Sequence, residues 1–274
     1  MEQQPHNNHP LIFRHKIDVL PTAIVLISST LQYYLFFSKN IGTVPFIVLL
    51  LILWFLSTLS IPIAHNHYHH FIFTKKWMNR LFEYFLFYHV FLPSFGWQLN
   101  HNIGHHRNYH NQNIDDPDHD ENCWMTKNGE IAKRWYYTLR TAALGYYYIF
   151  RNGKKHKKMF QKFKFVMLIH ILCIAFFLYI NPLYAFLIFL IPMVSNLLLN
   201  TNTSYRHHVG LTSTDVFSSS HTNLSTINNI LTFNTGYHTA HHHQPWVHWS
   251  KLPQLHEKIK AHIPATCIQN NFFG

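Results

Sequence analysis

Three long stretches without a charged side chain constrain the fold of this chain more than any other feature of its sequence. No Asp, Glu, Lys or Arg occurs in residues 19–38, 41–63 or 165–205. A helix crosses a bilayer core of about 30 Å with roughly 20 residues, so each of the first two stretches predicts one span. The third is long enough for two, and Asn181-Pro182 near its middle is a turn signal. We therefore expect an all-α integral membrane protein with four transmembrane helices in two hairpins, at about residues 19–38, 41–63, 165–180 and 183–204.

A fifth apolar stretch, residues 81–95, is too short to be a further span. As a helix it would cover only about 22 Å, and it contains Glu83 and Pro93. The stretch fits an interfacial or re-entrant helix, and a helix buried in the protein core is the alternative.

The basic residues predict the orientation in the membrane. Lys and Arg outnumber Asp and Glu by 22 to 11, and with four spans Lys39 is the only basic residue expected on one face. Cytoplasmic loops carry the excess of Lys and Arg, so both termini, residues 64–164 and residues 206–274 are expected to form a cytoplasmic cap of a single domain, residues 1–274. This topology explains the basic run at residues 151–164 as a solvated face beside the lipid bilayer, and it leaves a nucleic-acid role without support.

Histidine is unusually frequent, with 25 residues, and much of it falls into three clusters on the predicted cytoplasmic face. The clusters are His65, His67, His69 and His70; His101, His105 and His106; and His238, His241, His242 and His243. On a helix, positions i and i+3 or i+4 share one face. The pairs expected to point two rings the same way are His65 with His69, His101 with His105, and His238 with His242. An adjacent ring, His106 or His241, is expected to reach a second metal ion.

Ligand type alone leaves the metal open, because imidazole suits zinc, copper, iron and nickel. Eight or nine histidines exceed the four ligands of one tetrahedral zinc site, whereas two iron ions with open positions would use them. Neutral rings do not balance the charge of a metal, so nearby carboxylates are candidate partners for the ring N–H groups. The acidic residues that follow the second cluster are Asp115, Asp116, Asp118, Asp120 and Glu121. A solvated acidic turn is the alternative for them.

The remaining histidines are expected to be structural. The isolated ones, interpreted as surface or core residues, are His6, His9, His15, His89, His156, His170 and His262. His243, His248 and His256 lie near the third cluster but outside its repeat, and they are left out of the ligand set. His67 and His70 compete with His65 and His69, and spacing does not exclude them.

The clusters resemble the three histidine boxes of the membrane fatty acid desaturase and alkane hydroxylase superfamily. The segment from Phe233 to His242, followed by Pro245, is similar to the third box and tail of bacterial fatty acid desaturases. The resemblance covers about residues 45–260, and it is specific for the superfamily rather than for one reaction. The matching patterns are H-x-x-x-H at 65–69, H-x-x-x-H-H at 101–106 and H-x-x-H-H at 238–242.

The resemblance implies a non-haem di-iron centre that activates O2 beside a long acyl or hydrocarbon chain. It also implies one more ligand between the fourth span and the third box. His208 is favoured for this role, His207 is the runner-up, and His221 is a candidate partner of a ligand. Family members often carry Asn or Gln before this histidine, and this chain does not. The expected metal ligands are His65, His69, His101, His105, His106, His208, His238, His241 and His242.

A fatty acid desaturase is the leading hypothesis among the reactions of this superfamily. A fatty acid decarboxylase that forms 1-alkenes and a carotenoid ketolase or hydroxylase are the alternatives. The Asp115-Asp116-Pro117-Asp118 segment resembles a ketolase feature, whereas the tail after the third box favours the desaturase and the decarboxylase. Outside the superfamily, the alternative is a His-rich metal transporter, but transporters place ligands inside their spans and only His170 lies inside one here.

The electrons for such a reaction are expected to come from a separate protein. The sequence has no cysteine cluster for an iron–sulfur centre and no glycine-rich dinucleotide motif. A partner of the ferredoxin, rubredoxin or cytochrome b5 type is therefore expected. Residues 1–9 are polar and predict no cleavable signal peptide, and a bacterial inner membrane is the expected location.

Overall fold

The computed structural model describes residues 12–271, and most of this part of the chain is helical. The only sheet among the described residues is a short parallel pair in which Thr222 lies opposite Ile268. The elements are α1 Val19–Phe37, α2 Thr43–His69, α3 Lys76–Val90, α4 Ser94–Trp97, a π-helical segment Gln98–His105, α5 Arg134–Lys155, α6 Lys157–Ile180, α7 Pro182–Ala185, a second π-helical segment Phe186–Leu190, α8 Ile191–His208, β1 Thr222–Asn223, α9 Thr226–Leu231, α10 His238–His243, α11 Leu252–Ile259 and β2 Ile268–Gln269, with short 3₁₀ turns at Lys16–Asp18, Trp249–Lys251, Lys260–His262 and Ala265–Cys267.

Among residues 12–271, four helical stretches are long and apolar enough to cross a membrane. Large apolar side chains on them stay exposed, such as Val44 at 72% and Tyr179 at 88%. Water-soluble monomers rarely leave such contiguous apolar surface uncovered. The expectation of four candidate spans is therefore confirmed, and the stretches are Lys16–Phe37, Thr43–His69, Lys157–Ile180 and Pro182–His208.

Two of these helices continue beyond the apolar stretches that predicted them. α2 runs on past Ile63 to His69, and α8 ends at His208. The first histidine cluster and His208 therefore stand on the ends of rigid helices rather than on loops. This continuity fixes the direction in which their rings point.

The fifth apolar stretch forms α3, which begins at Lys76 and ends at Val90, where Phe91 adopts a left-handed conformation with φ of 56°. α3 packs against α1, α2 and α8, and its second half is buried. His89 has polar contacts inside the protein, since its ring lies 3.0 Å from Ser29 Oγ and its carbonyl accepts from Asn196 Nδ2 at 2.9 Å. This packing fits the alternative of a buried core helix.

α5 is a long helix in a region for which the sequence predicted no element. It packs against α8 and against the π-helical segment Gln98–His105. Asn152 Nδ2 donates to the carbonyl of Leu99 at 2.7 Å, and Tyr146 Oη donates to the carbonyl of Phe91 at 2.7 Å. These bonds hold the second histidine cluster against the ends of the candidate spans.

Candidate metal centre

All nine histidines that the sequence predicts as ligands come together in two groups. In each group the nearest ring nitrogens all lie within 4.8 Å of one another. The five-histidine group contains His65, His69, His101, His106 and His241. The four-histidine group contains His105, His208, His238 and His242.

The second cluster is divided between the groups in a way that the helical spacing did not predict. His101 and His105 were expected to share a face, but His101 shares its group with His106, and His105 belongs to the other group. The reason is local, because Gln98–His105 is π-helical and the amide of His106 bonds to the carbonyl of His101 at 2.8 Å. A π-helix has i to i+5 bonds and is wider than an α-helix, so residues five apart come closer to one face than they do in an α-helix. The expected pairing of His101 with His105 is therefore wrong.

The other two pairs follow the ordinary helical rule. His65 and His69 are one turn apart at the end of α2 and belong to the same group. His238 and His242 are one turn apart on α10 and share the other group. His241 points to the opposite group from His242, so α10 contributes to both groups, as the sequence predicted.

Two rings of the four-histidine group have an oxygen acceptor at Nδ1, the nitrogen that points away from the centre of the group. His105 Nδ1 lies 2.8 Å from the buried carboxylate of Asp120, and His208 Nδ1 lies 3.0 Å from the carbonyl of Ser219. An oxygen acceptor at Nδ1 requires the hydrogen to be there, which leaves the lone pair on Nε2. Both rings therefore present the atom that a metal needs toward the centre of the group.

The contacts among the Nε2 atoms cannot all be hydrogen bonds. His238 Nε2 lies 3.0 Å from Nε2 of both His208 and His242, and His106 Nε2 lies 3.1 Å from Nε2 of both His101 and His241. A ring nitrogen carries either one hydrogen or one lone pair, so it can serve only one of its two neighbours. A metal–nitrogen bond of about 2.1 Å places two ligands at right angles about 3.0 Å apart. These residues fit a metal ion in each group.

The charge state of the rings suits the same role. Burial, followed by the neighbouring histidines, lowers the pKa of His101, His106, His238, His241 and His242 well below the usual value of histidine. The rings are therefore neutral near pH 7, and neutral imidazole is the form that binds metals.

The two groups lie side by side. The ring centroids of His106 and His242, which belong to different groups, are 4.5 Å apart, and those of His101 and His105 are 5.2 Å apart. No carboxylate or cysteine belongs to either group among residues 12–271. The two groups could therefore hold two neighbouring metal ions with histidine ligands only.

Four other histidines weighed as ligands or partners lie outside both groups. His67 faces Glu83, with Nε2 3.6 Å from the carboxylate, and His70 packs near the rings of His15 and His248. The ring of His207 stacks on His238 at 3.9 Å, and His221 Nε2 lies 3.1 Å from the carbonyl of Val209. At the end of α8 it is thus His208 rather than His207 that joins a group.

Of the five acidic candidates, only Asp120 touches a histidine of either group. Asp115 and Asp118 are exposed and Asp116 is half-buried, as the alternative of a solvated turn predicted. Glu121 is buried and accepts hydrogen bonds from Asn100, Asn152 and Arg151. Its carboxyl lies against Gly104, where a Cβ atom would be only 2.1 Å away. The glycine in the second cluster is thus required by a close approach, and its place next to two histidines is the feature of the sequence that indicates it.

Histidines outside the clusters have structural contacts. His248 Nε2 lies 3.0 Å from the buried carboxylate of Asp18, which also accepts from Trp249 Nε1 at 3.0 Å. His170 stacks on Phe87 at 3.7 Å. Of the other histidines interpreted as isolated, His15 and His156 are half-buried and His262 is exposed, and His6 and His9 lie outside the described residues.

A cavity of about 380 Å³ reaches both groups. Its wall includes His65 and His101 of one group and His105 and His238 of the other. Most of the remaining wall is apolar or uncharged, and Arg206 is the single charged residue other than histidine among the described residues that line it. A mostly apolar cavity of this volume with a few polar groups is typical of a small-molecule site.

The sequence matches the family described as fatty acid desaturase over residues 41–271. The chain belongs to the fatty acid desaturase family. None of the curated proteins matches the sequence significantly. Family membership implies an oxidoreductase, and the two histidine groups and the four candidate spans agree with a membrane enzyme of this kind.

Proposed function

We propose that this protein is an O2-dependent di-iron oxidoreductase that acts on the C–H bonds of a long acyl chain, as a fatty acid desaturase. The observation that carries the proposal is the pair of adjacent buried histidine groups that open on one largely apolar cavity. Neutral nitrogen ligands and their number suit iron with open coordination positions better than a tetrahedral zinc site. The two iron ions are held by the nine histidines of the two groups.

A bound iron pair supplies the O2 chemistry that removes hydrogen from an unactivated C–H bond. The chain's own residues provide the position and the surroundings for this step. The cavity excludes water from the bound acyl chain and aligns one of its carbon–carbon bonds with the histidine groups. The shape of the cavity therefore selects which bond reacts. Asp120 and the carbonyl of Ser219 hold their rings in the orientation that the reaction needs.

The membrane arrangement proposed is two hairpins, Lys16–Phe37 with Thr43–His69 and Lys157–Ile180 with Pro182–His208. α1 packs against α2, and α6 contacts the start of the last stretch at α7. Both termini and the histidine groups lie on the cytoplasmic side, because the excess of Lys and Arg is on the side of the groups. We place the protein in a bacterial inner membrane and assign the supply of electrons to a separate ferredoxin, rubredoxin or cytochrome b5 type donor.

Lipid and hydrocarbon profiles of an expressing host test the reaction. We expect an acyl chain with a new internal double bond, which is absent from a host expressing the His105→Ala variant. Odd-carbon 1-alkenes would identify a decarboxylase instead, and oxygenated carotenoids a ketolase or hydroxylase. Metal analysis of the purified protein is expected to give about two tightly held irons per chain, whereas exchangeable zinc would point to a transporter.

A further inference from the structure

One face of α5 lines the cavity, and most of the residues on this face are small. Thr141, Ala142 and Gly145 lie on this face together with Tyr146. Leu139, Ala143 and Tyr147, which are exposed, lie on another face of the same helix. The cavity side of α5 thus carries less side-chain volume than the side turned away from it.

Gly145 has no local reason to be glycine. It lies in the interior of a helix of 22 residues, where glycine is the least favourable residue apart from proline. Packing does not require it either, since a Cβ built at Gly145 meets no atom within 4 Å. The contrast is Gly153 on the same helix, where a Cβ would lie 2.4 Å from the ring of Phe160. The space in front of Gly145 is therefore open, and the residue lines the cavity.

The wall beside Gly145 is held in place. Tyr146 Oη donates to the carbonyl of Phe91 at 2.7 Å, and Thr138 and Thr201 connect the same helix to α8. A larger side chain at position 145 would therefore extend into the cavity instead of moving the helix away. Volume added inside a packed protein causes strain or fills empty space. At position 145 the empty space is the cavity, where the acyl chain would bind.

We propose that Gly145, with Ala142 one turn away, determines how long or bulky an acyl chain the cavity accepts. The proposal rests on the proposed function, because it assigns specificity for the chain at that same site. A hydrocarbon chain is recognised by the volume it fills, so each methylene without room weakens binding. The absence of a side chain at position 145 leaves that volume to the chain.

The test compares the iron-loaded full-length protein with three variants, Gly145→Ala, Gly145→Leu and Ala143→Leu, on saturated acyl chains of increasing length. Gly145→Leu is expected to lower kcat/KM at least about tenfold for the longest chain that the unaltered protein uses, with little change for shorter ones. Gly145→Ala should give a smaller shift in the same direction. Ala143→Leu, which adds the same side chain on the exposed face, should keep the original profile.

Two results would overturn the proposal: an unchanged chain-length profile in Gly145→Leu, or an equal shift in Ala143→Leu. If Gly145→Leu loses iron or fails to fold, the profiles of Gly145→Ala and Ala142→Val decide in its place. Displacement of a fluorescent fatty acid by chains of each length provides a second measurement, independent of turnover. If the unaltered protein transforms no acyl chain, the proposed function fails, and these displacement profiles still test the role of Gly145.

Discussion

The two histidine groups use the same ligand type but differ in how their rings are held. In the four-histidine group every ring is buried, and Asp120 and Ser219 orient His105 and His208. In the five-histidine group His69 and His106 are half-buried, and no carboxylate contacts a ring of that group among the described residues. The four-histidine group therefore has fewer ligands, two of which are oriented by a hydrogen-bond acceptor. The five-histidine group has one more ligand but no carboxylate partner. This difference predicts that the two proposed metal ions respond unequally to the same kind of substitution.

The largest effect is expected from removing one ligand in each group. Both His241→Ala and His242→Ala should abolish turnover, because the proposed reaction uses a metal ion in each group. His241→Ala leaves four histidines in its group and should retain more iron than His242→Ala, which leaves three. Iron content per chain by elemental analysis, together with turnover in membranes, measures both effects.

His156→Ala and His262→Ala are the controls for this pair. Both side chains lie outside the groups, so turnover and iron content should stay at the original values. Full activity in His241→Ala would contradict the ligand assignment, and equal iron loss in the two ligand variants would contradict the difference between the groups.

Removing the carboxylate behind His105 should weaken one group selectively. Asp120→Asn keeps the size of the side chain but removes the charge that orients the ring, and changes of this kind cost about 10–100-fold in metal affinity. We expect one of the two irons to be released at a correspondingly lower chelator concentration. Asp118→Asn, at an exposed carboxylate, should release iron as the unaltered protein does. A chelator titration without a weaker iron in Asp120→Asn would refute the role of Asp120.

Gly104 lies in the π-helical segment that supplies rings to both groups, so its substitution should affect them together. A methyl group at this position would collide with the carboxyl of Glu121, and overpacking of this kind costs about 1–3 kcal/mol. The thermal midpoint of Gly104→Ala should fall. In Gly145→Ala the added methyl group has no atom within 4 Å. This variant should instead be more stable by up to about 1 kcal/mol, because alanine favours the helix over glycine. The prediction fails if the two variants have the same midpoint.

The smallest effect on metal binding is expected at His67, which stands between two ligands in the sequence. Its ring faces Glu83 and not the five-histidine group. His67→Ala should keep both irons while it lowers the free energy of unfolding by about 2–5 kcal/mol, since removing a fully buried ring leaves a cavity. Metal analysis after purification, followed by denaturant unfolding of the iron-loaded protein, separates the two quantities. If His67→Ala lost as much iron per chain as His65→Ala does, His67 would belong among the ligands.

Much of this arrangement was predictable because the signals are local. Charge-free stretches predicted four candidate spans, since the bilayer sets the length and polarity of a spanning helix. Helical periodicity predicted that His65 pairs with His69 and that His241 turns away from His242. The pairing of His101 was not predictable in this way, because a π-helix and an α-helix cannot be told apart from the spacing of the histidines.

The choice among similar residues also needed the tertiary structure. Asp120 and Glu121 are neighbours in the sequence, but one carboxylate orients a ring and the other fills a buried site against Gly104. His207 and His208 differ in direction only because α8 stays helical to its last residue. No feature of the sequence distinguishes Asp120 from Glu121, and His208 was favoured over His207 only through the resemblance to the family.

By itself, the sequence determined the number of candidate spans, the class of metal ligand and the family. These properties depend on composition and short-range periodicity, which every segment carries on its own. The tertiary structure decided how nine histidines divide into five and four, which carboxylate supports them, and where the cavity meets Gly145. Those outcomes depend on distances between segments far apart in the chain, and packing alone sets such distances.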